Sequence, residues 1–117
     1  MTTASEVIDG ALSMLNLHSE IMPAEPENQA KMFNALVEML GDWPSKNIIT
    51  SIVTPNDPSD DLQEPAALRG ALPTLLAVEA APYLHVEPSA TLRSRYLRYR
   101  NTLRGKFAKP IEQKLSG

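Results

Sequence analysis

The chain has no cysteine, which excludes disulfide frameworks, thiolate metal sites and thiol nucleophiles together and is compatible with an intracellular origin. Its two histidines, His18 and His85, stand alone as surface or loop residues, with no carboxylate at triad or metal-ligand spacing. Long apolar runs are missing as well. The most apolar stretch, Ala71 to Leu84, is interrupted by Pro73, Thr74, Glu79 and Pro82 and falls short of the roughly 20 residues a membrane span needs. The opening MTTASEVIDG has no basic region followed by an apolar one, so neither a secretory signal nor a membrane partner is expected. Asp57, Asp60, Asp61 and Glu64 crowd one segment, but the EF-hand order with its central glycine is absent. They read as turn and capping residues, and no metal or cofactor is expected.

Positive charge is scarce over most of the chain. Residues 1–92 hold thirteen of the fourteen acids and only Lys31, Lys46 and Arg69 as bases, a formal charge of −10, whereas residues 93–117 hold eight bases and Glu112, a charge of +7. An acidic body with a basic segment can pair with itself, with a neighbouring copy or with an external polyanion.

What is present is helical periodicity. At 117 residues and 43% hydrophobic, the sequence fits one domain with one core. Thr3 and Glu6 have capping-box spacing, in which each side chain satisfies a backbone N–H of the other, and Ala4, Val7, Ile8, Ala11, Leu12 and Leu15 follow on one face. Pro26 opens a second helix that should end at Gly41 to Trp43, with Pro44 pushing Trp43 out of helical conformation. Its apolar arc, Ala30, Met32, Phe33, Leu36, Val37, Met39, Leu40 and Trp43, is too wide for one neighbour, which places this helix at the centre of a bundle. The β-branched Ile48, Ile49, Thr50, Ile52 and Val53 then suggest an extended arm or short strand over 47–63, in need of cover from the bundle or another subunit.

Glu64 and Pro65 should start a third helix, which Pro73 either kinks or delays. Leu68, Leu72, Leu75, Leu76 and Tyr83 form one face and Ala66, Ala67, Gly70, Thr74, Ala77 and Ala81 the other. A helix apolar all round is normally buried all round, and so short a chain should not enclose it, so part of it is expected to meet another subunit. Glu79, alone within the large face, is expected to pair with an arginine rather than to act as an acid or base. Ser89 can cap a fourth helix with the stripe Leu92, Tyr96, Tyr99, Leu103 and Phe107, ending before Pro110. The expected fold is therefore all-α, a four-helix bundle over 1–110 with the arm between helices two and three, and a short tail at 111–117. Its core is expected to hold Leu12, Leu15, Phe33, Leu36, Leu40, Trp43, Leu72, Leu76, Tyr96 and Leu103.

The order of these elements, with ALVEMLGDW, NIITSIVTPNDP and EPAALRGALPTLLAVEAAP in succession and a basic last helix, resembles the head-to-tail adaptor proteins of short-tailed phages, also called tail accessory or packaged-DNA stabilisation proteins. The likeness extends to about Tyr99. It rests chiefly on Leu36, Met39, Leu40 and Trp43, on Asn47 to Ile49, and on Leu68 to Ala71. The resemblance implies a ring, usually of twelve copies, docked beneath the portal protein in the virion after assembly in the host cytoplasm. Such a ring extends the channel for packaged DNA and supports the next tail component. Longer family members have an extended segment after the last helix, for which Ile111 to Gly117 would be a short substitute.

Contacts with the portal or a neighbouring copy are accordingly expected at Ile48, Ile49, Ile52, Val53 and Asp57 on the arm, at Arg69, Gly70 and Ala77 around helix three, at Arg93, Arg95, Arg98, Arg100 and Arg104 on helix four, and at Ile111 and Leu115. The arginines suit protein contact or non-specific proximity to DNA; no helix-turn-helix spacing, zinc site or aromatic platform accompanies them for base readout. A small helical regulator that binds protein or DNA is the alternative. A cell-wall hydrolase, which would need two carboxylates facing across a cleft, stands well behind.

Overall fold

The computed structural model describes residues 2–19 and 21–108; the expected 111–117 tail, with Ile111 and Leu115, lies outside them. The protein is mostly helical, with α1 at Ala4–Met14, α2 at Pro26–Asp42, α3 at Ala71–Ala80 and α4 at Ala90–Phe107. Single 3-10 turns lie at Pro44–Lys46, Ala66–Leu68 and Ala81–Leu84.

Local chemistry sets the helix ends. Thr3 Oγ1 accepts the Glu6 N–H at 3.2 Å, and the Thr3 hydroxyl donates to the Glu6 carboxylate at 3.3 Å. Only half of the expected reciprocal box is therefore formed, since Glu6 turns to the hydroxyl. At the other end Asn16 takes a left-handed conformation (φ 62°), and Leu17 N–H returns to Leu12 C=O at 2.8 Å. Asparagine tolerates this conformation because its side chain is short and polar, so it closes the helix where glycine usually would. Pro26 is the first residue of α2, where no N–H is needed. Ser89 Oγ accepts the Leu92 N–H at 3.1 Å and starts α4.

The central element is α3, not α2. α3 packs against α1, α2 and α4, whereas α2 packs chiefly on α1 and α3. The reason lies in burial. Met32, Ala35, Leu36, Met39, Leu40 and Trp43 are buried on α2, but Phe33 and Val37 are only half-buried and Ala30 is exposed, so one edge of its wide arc is only partly covered. On α3, Ala71, Leu72, Thr74, Leu75, Leu76, Ala77 and Ala80 are all buried. Gly10 of α1 sits against Pro73 so closely that a Cβ there would come within 3.2 Å of the proline ring. The small side chains admit the neighbouring helices of the same chain, so α3 does not need a second subunit to cover it. Ala77, expected at a subunit interface, is 0% exposed within the chain. Tyr83, expected on the large face, lies in the following 3-10 turn and is exposed.

Two further expectations are corrected. α3 begins at Ala71 rather than at Glu64, the delayed start that is one of the two alternatives at Pro73, because Pro65 leads only into a single turn and Gly70 (φ 79°) redirects the chain. Pro73 then falls in the first helical turn, where it costs no hydrogen bond. Trp43 remains helical (φ −57°, ψ −44°) despite Pro44. Its carbonyl accepts both Lys46 N–H and Ile48 N–H at 2.9 Å, which holds the chain in a continuing turn.

Segment 47–63 contains no strand and does not project. It folds back over α1, with Ala4 N–H bonded to Asp60 C=O, Ser5 N–H to Pro58 C=O and Leu62 N–H to Thr2 C=O. Leu62 and Ile48 enter the core, and Ile49 N–H bonds to Phe107 C=O at the end of α4. Its own chain thus covers Ile48 and Leu62, while Ile49 and Val53 stay exposed. Of the expected core, Phe33 and Tyr96 are half-buried at its margin and the other eight residues are buried.

Candidate functional site

α4 carries Arg93, Arg95, Arg98, Arg100, Arg104 and Lys106 and no acid over eighteen residues. Its core contacts are confined to Leu92 and Leu103, flanked by the half-buried Tyr96, Tyr99 and Phe107. The arginines therefore lie on the exposed part of a helix held along one edge. Arg93 pairs with Glu87, which precedes the helix. Arg95, Arg98 and Arg104 are exposed and, among the described residues, have no ion-pair partner.

Arg100 differs from the others. It is half-buried, with its guanidinium carbon 5.8 Å from the centre of the Tyr96 ring, within reach of a cation–π attraction. The Tyr96 hydroxyl donates to Glu79 Oε1 at 2.6 Å. Burial pushes the Tyr96 phenol above its ordinary value, and the hydrogen bond and charge of Glu79 push in the same direction, opposed in part by the hydrogen bond and charge of Arg100. Glu79 is exposed and takes a tyrosine, not an arginine, as its hydrogen-bond partner. Lys46, Glu79, Tyr96, Arg100 and Arg104 line one small cavity of about 90 Å³ whose apolar wall includes Trp43 and Leu103. Tyr96, Arg100 and Arg104 share it because residues four apart lie on one helix face. Sequence reasoning gave Tyr96 to the core and left Lys46 unassigned. The four-residue spacing was visible, but the approach of Lys46 follows from the turn after Trp43.

On the arm, Ile48 is 4% exposed, Ile52 is half-buried, and Ile49 and Val53 are 52% and 44% exposed. Asp57 is exposed, and its carboxylate accepts the Ser59 N–H and hydroxyl. The Ser59 hydroxyl bond, followed by the backbone bond, holds its carboxyl below the usual range. Asp60 Oδ2 accepts the N–H groups of Asn56 and Asp57, and Asp61 Oδ1 that of Gln63. These acids build turns, as their spacing suggested. Arg69 and Gly70 are exposed before α3, away from the α4 cavity.

Glu64 has a carboxyl raised by burial, partly offset by a hydroxyl bond from Thr2 and by Arg69. His18 Nδ1 accepts the Ala24 N–H at 3.0 Å, a structural role in the α1–α2 connection. Among the described residues no cluster of histidine and acidic side chains is arranged to hold a metal ion, and no helix is long and apolar enough to cross a membrane. The arrangement is suited to holding an anion or an acidic surface. Compared with known proteins, the chain matches no family model and no curated sequence.

Proposed function

We propose that this protein is a structural assembly module, a head-to-tail adaptor of a short-tailed phage virion, folded as a four-helix bundle. In this reading copies of the chain form a ring, with twelve the expected number, dock on the portal protein, extend the channel around packaged DNA and support the next tail component. The observation that carries the reading is the charge arrangement of α4. A helix with six cations and no acid lies along the edge of an otherwise acidic chain, so the basic face of one copy can meet the acidic face of the next in a head-to-tail contact. The exposed Ile49 supplies apolar surface at the end of α4, where its N–H bonds to Phe107 C=O, and Val53 adds exposed apolar surface elsewhere on the arm.

The exposed arginines also favour a second reading, non-specific contact with the DNA backbone, which would show a steep dependence on salt. Size-exclusion chromatography with light scattering, with and without the candidate portal, tests the adaptor reading. A ring or portal-bound species is expected; a chain that stays monomeric in both conditions overturns it.

A further inference from the structure

We propose that the cavity between the end of α2, α3 and α4 binds a phosphate group, with Lys46, Arg100 and Arg104 as its cationic ligands. Three observations carry this. Two arginines one helical turn apart and a lysine from a separate element converge on about 90 Å³ of space, and among the described residues none of the three has an ion-pair partner. Arg100 Nε is withdrawn from solvent and has no hydrogen-bond acceptor. Leaving a buried charged donor unsatisfied is costly, and an oxyanion that engages the Arg100 guanidinium from the cavity would offset part of that cost through its charge. Finally, the Tyr96 ring holds the Arg100 guanidinium in place, so less side-chain freedom is lost on binding.

Phosphate fits the cation set better than carboxylate does. Two guanidinium groups and an ammonium present more donors than the two oxygens of a carboxylate can engage, whereas a phosphate offers three or four. Glu79 lines the same cavity. Its Oε1 is occupied by the Tyr96 hydroxyl, and its negative charge opposes an incoming anion, so Glu79 limits the affinity. The phosphate can be free or part of a nucleic-acid backbone. The site stands on its own geometry and does not depend on the adaptor reading.

The test is isothermal titration calorimetry of the full chain at low ionic strength with sodium phosphate, against sodium acetate and sodium chloride at matched ionic strength. Saturable phosphate binding is expected. Arg104→Gln, an exposed position that leaves the core intact, and Arg100→Gln should each weaken it about tenfold, the scale of one lost charge-assisted hydrogen bond. Glu79→Gln should tighten it while keeping an acceptor for Tyr96, and Arg95→Gln, elsewhere on α4, should leave it unchanged. Absence of saturable phosphate binding, equal binding of acetate, or an Arg95→Gln loss as large as that of Arg104→Gln overturns the proposal. A short DNA duplex that displaces phosphate from the native protein identifies the backbone as the source. A duplex that does not compete identifies free phosphate.

Discussion

α3 and α4 lie against each other and are built in opposite ways. α3 has ten residues, seven of them buried, and Glu79 as its only charge. α4 has eighteen residues, two of them buried, and six cations. One helix supplies cohesion and little surface chemistry; the other supplies surface chemistry and is attached by a single edge. The pairing teaches that an apolar excess on one helix and a charge excess on its neighbour need not both point outward. The first is consumed inside the chain, and only the second remains on the surface.

The largest effect expected from that contrast is at the point where α2 ends beside α4. Trp43 is 6% exposed, and Trp43→Ala should cost about 3–5 kcal/mol by denaturant unfolding; an unchanged midpoint would show that α4 does not depend on that wall. Leu76→Ala, at the fully buried centre of α3, should cost about 2–5 kcal/mol. A loss no larger than that of an exposed substitution on α4 would break the comparison.

Tyr96→Phe removes the hydroxyl that joins α4 to Glu79 of α3 and should cost about 1 kcal/mol at neutral pH. The folded state holds the Tyr96 phenol protonated beyond its ordinary value of 10.0. The native protein therefore loses stability as the pH rises past that value, and its advantage over the phenylalanine variant should shrink there, as pH-dependent melting would reveal. Smallest for the isolated chain is Arg95→Glu with Arg98→Glu. Both positions are exposed, so the monomer should change by no more than about 0.5 kcal/mol per site. Assembly should fail, and normal ring or virion formation by this variant would sink the contact role of α4.

What could be read from sequence was what neighbouring residues decide. The caps at Thr3 and Ser89 and the stripe from Leu92 to Phe107 depend on spacings of three and four, the first residue of α2 depends on the missing N–H of Pro26, and each appears in the structure. The turn-forming acids from Asp57 to Asp61 were legible for the same reason. Which helix is central was not, because α2 and α3 both carry wide apolar arcs and only packing decides which arc is fully covered. Nor was the union of Glu79 with Tyr96, which spans seventeen residues and two helices. The return of 58–62 onto residues 2–5 relies on backbone groups, which every sequence possesses alike.

That return has a kinetic consequence. The amides of Ala4 and Ser5 belong to the first turn of α1, where a helix has no acceptors of its own, and they are bonded to the carbonyls of Asp60 and Pro58. Exchange of these two amides with solvent thus requires the distant loop to lift, and the Leu62 amide, held by Thr2 C=O, is released in the same event. Hydrogen exchange should therefore find the start of α1 and the 58–62 loop opening as one cooperative unit, with matching protection on two segments separated by half the chain.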